Sequence, residues 1–313
     1  MKPRIGVSLG DPSGVGLEVT VKALQRPAVR RALDAVLFGD ASTPAGPWEL
    51  RAISQLGPSD RRPGRPTRAG GLAQYAYVTA AIEAAKLGEV DALCTAPVSK
   101  EAITRAGIPF VGHTEVLAEA FGCEVLMLMD GPKLRVALAT NHVPISALSR
   151  QLTTKGLVAQ LGLLSSALRP LLGRRPRLAV CGLNPHAGDG GIMGKEELRV
   201  IAPAVRRARQ KGLDVHGPFA ADGLFAKVAH GFPYDAALAM FHDQGLVATK
   251  AIDFAHTVNV TLGLPVPRTS PDHGVAYDIA GKGVCDETPM VEALLAAARR
   301  ASPKISAKRS QVR

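Results

Sequence analysis

The sequence predicts an α/β protein in which helices cover both faces of a mixed sheet. Short apolar runs alternate with amphipathic helical stretches along the 313-residue chain, as in α/β proteins. Two of these runs, Val125–Met129 and Leu134–Leu138, flank the turn Asp130–Lys133, which is typical of an antiparallel hairpin. The sequence has no internal repeat and no low-complexity linker. We therefore expect any division into domains to be a bend within one fold.

The individual elements follow from apolar runs and from helix-capping residues. The first strand, Ile5–Leu9, precedes a glycine turn and a helix that begins at about Leu17. A helix over Leu72–Leu87 ends at Gly88, a residue type that caps helices. The last helix begins at Thr288-Pro289, an N-cap followed by an N1 proline. The other predicted core strands are Ala35–Gly39, Val90–Cys94, Leu178–Val180 and Ala236–Met240.

The composition indicates a folded protein with a sizeable core. Hydrophobic residues make up 46% of the chain and charged residues 21%, which excludes disorder, collagen-like repetition and a coiled coil. The 4 cysteines are far apart and form no CxxC pair, as is typical of a reducing compartment. No apolar run approaches the ~20 residues of a membrane-spanning helix, and the first residues lack a signal-peptide core. We therefore expect a soluble, cytoplasmic protein.

The net charge of +11 raises the question of nucleic-acid binding. Two segments are rich in basic residues, Arg61–Arg68 and Lys304–Arg313. Neither contains an aromatic residue, and aromatic residues make up only 4% of the chain, so side chains that could stack on bases are scarce. We expect the charge to attract anionic small molecules and predict no nucleic-acid partner.

Two common nucleotide-binding motifs are absent from the turns after the predicted strands, where open α/β sheets bind ligands. The segment Gly10–Gly16, GDPSGVG, does not have the glycine spacing of the dinucleotide-binding fingerprint. Gly194-Lys195-Glu196 lacks the leading glycine and the Ser or Thr of a P-loop. By itself, Gly10–Gly16 therefore indicates a tight strand-to-helix turn.

Histidines in polar turns after core strands predict a metal site. Four histidines follow a predicted strand or lie in a Gly/Pro-rich turn, where a side chain can point into a cleft: His142, His186, His242 and His273. Three imidazoles with one open position are the usual makeup of a catalytic zinc site, so we predict that three histidines at the ends of separate core strands converge on one divalent cation. Asp243 could orient His242 or accept a proton, and Asp222 is a second acidic candidate.

Three polar residues further along the chain predict an anion-binding site. Lys250, Asn259 and Arg268 lie in otherwise apolar segments. Arginine offers a bidentate fork and lysine a point charge, which together suit a phosphate or a carboxylate.

Six segments occur in the order found in one enzyme family. Together they resemble the 4-hydroxythreonine-4-phosphate dehydrogenase (PdxA) family, from Gly6 to about Gly283. Each motif alone is only weakly specific for the family, but six motifs in this order are highly specific. The segments are Gly10–Gly16, Thr95–Lys100, Gly112–Glu115, Gly182–Gly188, Phe241–Gly245 and Arg268–Gly274.

The resemblance implies a fold of the isocitrate/isopropylmalate dehydrogenase type, with two α/β/α subdomains around a cleft, and not a Rossmann fold. We expect residues 1–125 with 280–313 to form the first subdomain. Residues 126–279 would form the second and carry most of the metal and substrate residues. Family members are homodimers in which one metal ligand comes from the partner subunit, so the resemblance also implies an active site shared across the interface.

The resemblance implies roles for individual residues. His142, His186 and His242 would hold the divalent cation, which could be Zn²⁺, Mg²⁺, Mn²⁺ or Co²⁺. NAD or NADP would bind a loop that resembles the adenosine-binding loop of isocitrate-type dehydrogenases. The implied substrate contacts are His113, Thr114, Lys250, Asn259 and Arg268. The implied cofactor contacts are His273, Gly274, Ala276, Asp278 and Ile279.

The implied activity is the oxidation of 4-phosphohydroxy-L-threonine to 2-amino-3-oxo-4-(phosphonooxy)butanoate. This β-keto acid decarboxylates to 3-amino-2-oxopropyl phosphate in pyridoxal phosphate biosynthesis. Asp243, Asp222 or Lys250 would accept the proton, and the sequence does not distinguish among them. The competing class is a metal-dependent hydrolase or lyase that uses the same histidines without a nicotinamide.

Some positions depart from the family pattern. Leu17 replaces the usual proline, Ile192 a histidine and Gly223 a threonine, and the region Ala41–Thr67 is compressed. These departures leave open a related substrate, D-threonate or D-erythronate 4-phosphate. The retained substrate contacts speak against the branch of the family that oxidises an unphosphorylated aromatic cis-dihydrodiol.

Overall fold

The structure is a computed structural model that describes residues 2–310, with side chains described as far as residue 301. Strands and helices alternate along these residues, which confirms the α/β class. The strands are β1 (Arg4–Ser8), β2 (Asp34–Asp40), β3 (Glu49–Ser54), β4 (Ala92–Thr95), β5 (Leu126–Asp130), β6 (Arg135–Leu138), β7 (Arg177–Cys181), β8 (Asp214–Phe219), β9 (Ala236–Ala239), β10 (Val258–Leu262) and β11 (Arg268–Pro271). The helices are α1 (Gly16–Gln25), α2 (Pro27–Ala32), α3 (Arg68–Lys86), α4 (Lys100–Arg105), α5 (His113–Phe121), α6 (Leu148–Gln151), α7 (Thr154–Leu172), α8 (Ala202–Gln210), α9 (Ala221–Ala226), α10 (His242–Asp253) and α11 (Thr288–Ser310).

The chain packs as two compact units. The first combines the residues up to Glu124 with those from Val258 onward, and the second is Val125–Thr257. The expected subdomain boundary lay at residue 279. The structure instead groups residues 258–279 with the first unit, because β11 pairs in parallel with β4 and in antiparallel with β10.

In the first unit the strands follow the order β3-β2-β1-β4-β11-β10. These pairings are parallel except for β10 with β11. On one face, Tyr77 of α3 belongs to a core cluster with Phe38 and Leu93. On the other, Sδ of Met290 in α11 contacts Sγ of Cys94 at 3.9 Å. Because Leu93 and Cys94 are neighbours on β4, their side chains point to opposite faces, so helices cover both faces as predicted.

In the second unit the strands follow the order β5-β6-β9-β7-β8. The predicted hairpin is confirmed, since β5 pairs with β6 in antiparallel with Met127 opposite Leu138. The remaining strands, β6, β9, β7 and β8, are parallel to one another. Leu224 of α9 and Leu246 of α10 pack in the core cluster on one face of this sheet.

Some strands were not predicted from the sequence, namely β3, β8, β10 and β11. The strand Arg268–Pro271 shows why: all four of its residues are buried although most of them are polar. Its polar groups are satisfied inside the unit, as when Thr269 Oγ1 donates to the carbonyl of Ala293 at 2.8 Å. A polar segment of this kind has the sequence appearance of a loop.

The start of α11 differs slightly from the prediction. Thr288 is the first helical residue and not the N-cap, because the carboxylate of Asp286 accepts its backbone N–H at 2.9 Å. The basic segment Lys304–Arg313 lies outside the residues whose side chains are described. Within residues 2–310, no helix has the length and apolar composition that crossing a membrane requires.

Candidate active site

The three predicted metal ligands follow the carboxyl ends of three adjacent strands in the second unit. β6, β9 and β7 lie side by side and run in the same direction, so the loops that leave them emerge at one edge of the sheet. The strand ends and the histidines that follow them are Leu138 and His142, Ala239 and His242, and Cys181 and His186. Ligands bind at this edge in open α/β sheets.

Two of these histidines are close neighbours. The ring centroids of His142 and His242 lie 5.7 Å apart, with the rings tilted by 39°. Nδ1 of His242 lies 2.7 Å from Oδ1 of Asp243, whose side chain is 79% exposed. A carboxylate on Nδ1 fixes the tautomer of an imidazole and leaves Nε2 as its ligand atom. The geometry of His242 therefore suits the predicted metal role.

His186 lies in a separate, unusual loop. It is exposed, and its backbone is left-handed with φ 52°. Ala187 with φ 52° and Asp189 with φ 42° are also left-handed. Across the described residues, no three side chains of the His, Cys, Asp or Glu type are grouped closely enough to hold a metal ion. The structure thus brings His142 and His242 together and places His186 on the loop after the next strand.

Gln244 connects the loops that carry the histidines. Its Oε1 accepts the backbone N–H of Met240 at 2.7 Å, and its Nε2 donates to the carbonyl of Gly182 at 2.8 Å. Thr140 Oγ1 donates to the carbonyl of Met240 at 2.8 Å. The loops after β6, β9 and β7 are therefore tied together. The sequence analysis did not select Gln244, although its place in Phe241–Gly245 was a signal for it.

The candidate proton acceptors also belong to the second unit. Asp222 is exposed in the first turn of α9, directly after β8, the fourth parallel strand. Lys250 is exposed on α10, with Nζ 5.4 Å from the ring centroid of Phe254. Asp243 bonds to His242, as described above. The strand order alone thus places Asp222 at the same sheet edge as the histidines.

Arg268 is a buried cation in the first unit. It is 2% exposed and donates to Oγ1 of Thr95 at 2.5 Å and to Oγ1 of Thr261 at 3.1 Å. Burial lowers the pKa of Arg268 to about 10, although the nearby Cys94 and Glu115 act to raise it. Its Nε atom has no partner, and no carboxylate among the described residues hydrogen-bonds to the guanidinium. A buried guanidinium held only by hydroxyls is suited to an anionic ligand.

His113, at the start of α5, is kept neutral. Burial, and then the cationic Arg268 and Lys100, lower the pKa of His113 well below its usual range. Its Nε2 atom is enclosed and has no hydrogen-bond partner among the described residues. Lys100 is close by, because a Cβ at Gly112 would lie 3.7 Å from its Nζ atom. The sequence analysis did not select Lys100, although the segment Thr95–Lys100 contains it; only the fold brings it to His113.

Asn259 shares a sheet face with Arg268. In the antiparallel pair of β10 and β11, Thr261 is opposite Arg268 and Asn259 is opposite Ser270. Directly opposite residues share a face, and so do residues two apart on one strand. Oδ1 of Asn259 is buried and has no partner within the described side chains, and Thr114 is buried next to His113 in α5. Four predicted substrate contacts thus belong to the first unit, whereas Lys250 belongs to the second.

The predicted cofactor loop packs on the glycine turn after β1. Within the loop His273–Ile279, the carbonyl of Val275 accepts the backbone N–H of Val15 at 3.0 Å. A Cβ at Gly14 would lie 2.9 Å from that same oxygen, so this contact requires glycine. The turn Gly10–Gly16 is therefore more than a link between strand and helix, because it supports the loop.

Asp11 holds the turn and the loop together. It is 1% exposed, and Oδ1 accepts the backbone N–H of Ser13 at 2.8 Å. Oδ2 accepts hydrogen bonds from Gln74 Nε2 at 2.9 Å and from Tyr277 Oη at 2.7 Å. Burial is the main cause that raises the pKa of Tyr277, which keeps its hydroxyl protonated as the donor.

The predicted cofactor residues form a short, strained loop. Nδ1 of His273 lies 2.9 Å from the carbonyl of Gly274, and its Nε2 is enclosed with no partner in the part of the chain that the structure describes. Ala276 has φ 45°, in the left-handed region, and its carbonyl accepts the N–H of Ile279 at 3.2 Å. Asp278 is exposed. The enclosed Nε2 of His273 is a polar atom that a ligand of this loop could satisfy.

The fold is that of the isocitrate dehydrogenases. An isocitrate dehydrogenase from Methylococcus capsulatus superposes with a TM-score of 0.50 over 97% of this chain and 86% of that chain. The two sequences are only 12% identical, so this likeness concerns the fold alone.

More similar proteins define the family. The profile of the family described as "Pyridoxal phosphate biosynthetic protein PdxA" matches residues 17–297. A 4-hydroxythreonine-4-phosphate dehydrogenase from Geobacter metallireducens is 43% identical, over 97% of this chain and 97% of that protein. The crystal structure of one from Klebsiella pneumoniae is 34% identical with a TM-score of 0.81, over 96% of this chain and 100% of that chain. A Clostridium botulinum relative, provisionally named D-threonate 4-phosphate dehydrogenase, is 35% identical over 97% of this chain and 98% of that protein. The chain therefore belongs to the PdxA family, which confirms the resemblance read from its motifs.

Proposed function

We propose that this chain is a dehydrogenase that oxidises 4-phosphohydroxy-L-threonine with NAD or NADP. The C3 hydroxyl loses its proton to the protein, and the hydrogen on C3 leaves as a hydride that the nicotinamide accepts. The product, 2-amino-3-oxo-4-(phosphonooxy)butanoate, is a β-keto acid and loses CO₂ to give 3-amino-2-oxopropyl phosphate. The observation that carries this proposal is the similarity to the PdxA family, whose model matches residues 17–297 and which includes the Geobacter metallireducens dehydrogenase at 43% identity. The three histidines at the carboxyl ends of adjacent parallel strands fit this activity.

We assign the binding of the substrate phosphate to the polar group of the first unit. Arg268 supplies a buried guanidinium that lacks a carboxylate partner among the described residues. Neutral His113 can donate a hydrogen bond without adding a further positive charge, and Lys100 supplies a second cation. Binding energy gained at the phosphate, which takes no part in the bond changes at C3, helps to orient the reacting carbon.

We assign the divalent cation to His142, His186 and His242. Imidazole nitrogens suit Zn²⁺ better than Mg²⁺, while Mn²⁺ and Co²⁺ remain candidates. The bond between His242 and Asp243 fits this assignment, because it fixes the ring as a ligand would require. A cation held there supplies a Lewis acid that lowers the pKa of a substrate hydroxyl.

The contacts of Asp243, Asp222 and Lys250 favour one of them as the proton acceptor. Asp243 is engaged with His242, so we assign it the task of orienting that ring. Asp222 follows the fourth parallel strand and is exposed, which leaves its carboxylate accessible to a substrate. We propose Asp222 as the first candidate and Lys250 as the second.

We propose that the nicotinamide cofactor binds the loop His273–Ile279. The enclosed Nε2 of His273 and the tight packing of the loop on Gly10–Gly16 support this assignment. When bound, the cofactor supplies the hydride acceptor.

We further propose that the enzyme is a homodimer. Large apolar side chains are exposed within a few residues of all three histidines, which is typical of surfaces that another protein covers. A second copy of the chain that covers them would also complete the site, as the family resemblance implies. These residues are Ile145, Ile192, Met193 and Val247.

A related four-carbon substrate is the second candidate. The Clostridium botulinum relative carries the name of a D-threonate 4-phosphate dehydrogenase, and Ile192 and Gly223 depart from the usual family pattern. Both substrates have a phosphate, so Arg268 suits either one.

The reaction is tested by following NADH or NADPH absorbance at 340 nm with both substrates, with and without a chelator. We expect metal-dependent reduction of the cofactor. His142→Ala, His186→Ala and His242→Ala should each remove bound metal and activity, whereas His230→Ala, an exposed histidine of the same unit, should retain both. Full turnover without metal would contradict the proposal. Product formation with no change at 340 nm would indicate the competing hydrolase or lyase class.

A further inference from the structure

Glu197 is a buried carboxylate that binds the start of the His186 loop. It is 3% exposed. Its Oε1 atom accepts the backbone N–H groups of Leu183 and Asn184 at 2.7 and 2.8 Å, and its Oε2 atom accepts Nδ2 of Asn184 at 2.9 Å. No basic side chain among the described residues forms an ion pair with it. The buried charge is therefore stabilised by hydrogen bonds from this loop.

The loop closes around this carboxylate so tightly that two positions require glycine. A Cβ at Gly188 would lie 2.6 Å from Oε2 of Glu197, and a Cβ at Gly182 would lie 3.1 Å from Oε1. The Cβ at Gly182 would also lie 2.8 Å from Cα of Ala187, the residue after His186. The position of the carboxylate is thus matched to one path of the backbone between Gly182 and Gly188.

That path is strained. From His186 to Gly190 every residue has a positive φ, and three of them are not glycine. A left-handed backbone costs a non-glycine residue of order 1–3 kcal/mol and persists only where the surroundings impose it. Glu197 is a contact that can impose it, because it fixes the two residues that lead into the run.

The position of Glu197 itself follows from a helix irregularity. Glu197–Ile201 forms a π-helical turn that runs directly into α8. Pro203, near the start of α8, has no N–H and cannot complete the regular hydrogen-bond ladder behind it. Such π-helical turns are frequent at functional sites.

We infer that Glu197 is a positioning residue that holds the His186 imidazole in its metal-binding place through the backbone of residues 183–188. The inference rests on the proposed metal role of His186. It goes beyond that role because Glu197 is neither a ligand nor a substrate contact.

Glu197→Ala and Glu197→Gln test this inference, and Glu196→Gln is the matched control. Glu196 also accepts Nδ2 of Asn184, at 2.8 Å, but makes no bond to the loop backbone. Co²⁺ affinity is measured by titration followed in the visible ligand-field spectrum. Hydrogen exchange of residues 183–191 is measured in the metal-free protein.

We expect Glu197→Ala to weaken Co²⁺ binding by about 10- to 100-fold, as is usual when the support of a metal ligand is removed. Exchange in residues 183–191 should become faster. Glu197→Gln keeps one acceptor oxygen for the two backbone N–H groups, so it should recover part of the affinity. Glu196→Gln should bind Co²⁺ as the unmodified protein does.

The outcomes separate this inference from the proposed function. If the unmodified protein binds no Co²⁺, or if His186→Ala binds it equally well, the metal role of His186 fails. If His186 is needed but both Glu197 variants bind Co²⁺ within twofold of the unmodified protein, the inference alone is overturned. Should Glu197→Ala not fold, Glu197→Gln decides by the same twofold criterion.

Discussion

Nδ1 of His242 lies 2.7 Å from Oδ1 of Asp243 at the start of α10, and a second histidine–aspartate pair with the same distance lies at the other end of that helix. Nδ1 of His256 lies 2.7 Å from Oδ1 of Asp253. The first pair stands at the amino-terminal end of α10, where a strand of the parallel sheet has just ended, and the second stands just past the other end. A candidate functional pair thus lies at the start of α10, and a chemically matched structural pair joins its last residue, Asp253, to His256 beyond it.

This duplication allows a matched test of Asp243. Asp243→Asn should weaken metal binding by about tenfold, because the amide no longer fixes the His242 ring with a charge-assisted bond. Asp253→Asn should leave metal binding unchanged. Metal affinity by chelator competition measures both effects. Equal losses in the two variants would point to damage to α10 and not to the orientation of His242.

Replacement of Arg268 should affect substrate binding and stability in opposite directions. Arg268→Met keeps the side-chain volume but removes the charge-assisted hydrogen bonds to the substrate phosphate. One such bond contributes about 1.5–3 kcal/mol, so KM for the phosphorylated substrate should rise about 10- to 150-fold. Burial lowers the pKa of Arg268 to about 10, which means that the charge is disfavoured in the free protein. The ligand-free variant should therefore resist urea better.

KM values for phosphorylated and unphosphorylated substrates, with urea midpoints, test this prediction. Arg199→Met, at an exposed position, is the control and should change neither quantity. Equal losses of affinity for both substrates would contradict the phosphate role of Arg268.

His113 should make the stability of the protein decrease in mild acid. Its pKa is lowered on folding, so below pH about 6.5 the unfolded chain binds a proton that the folded protein does not. Stability is therefore fully present above that pH and falls as the pH drops, by up to ~1.4 kcal/mol per pH unit. Urea unfolding of the unmodified protein and of His113→Asn between pH 5 and 8 measures this. The difference in the free energy of unfolding between the two proteins should depend on pH only below about 6.5. If their stabilities instead change with pH in parallel, the pKa of His113 is not lowered.

Tyr277 should support cofactor binding through Asp11. Tyr277→Phe removes a hydrogen bond to a buried carboxylate, so we expect a loss of ~1 kcal/mol in stability and several-fold weaker NADH binding. NADH fluorescence titration measures the affinity. Tyr75→Phe, on α3 of the same unit, is the control. Unchanged NADH affinity in Tyr277→Phe would argue against the loop His273–Ile279 as the cofactor site.

Some features of the site were predictable because the signal was local. His142, His186 and His242 stood out because each follows an apolar run, and a strand end can be located from the sequence. The β5–β6 hairpin was predictable for the same reason, since its turn lies between its two strands. Lys100 and Gln244 lie in motifs that stood out, but their contacts were not predictable, because Gly182 and His113 lie in other segments of the chain.

The sequence by itself determined the α/β class, the family and the identity of the strand-end histidines, since apolar periodicity and motif order are properties of neighbouring residues. Only the tertiary structure decided that Arg268–Pro271 is a buried strand and that Glu197 supports the His186 loop. It also grouped residues 258–279 with the first unit. These features depend on which distant segments meet, because a buried polar group is stable only when the fold supplies its hydrogen-bond partners.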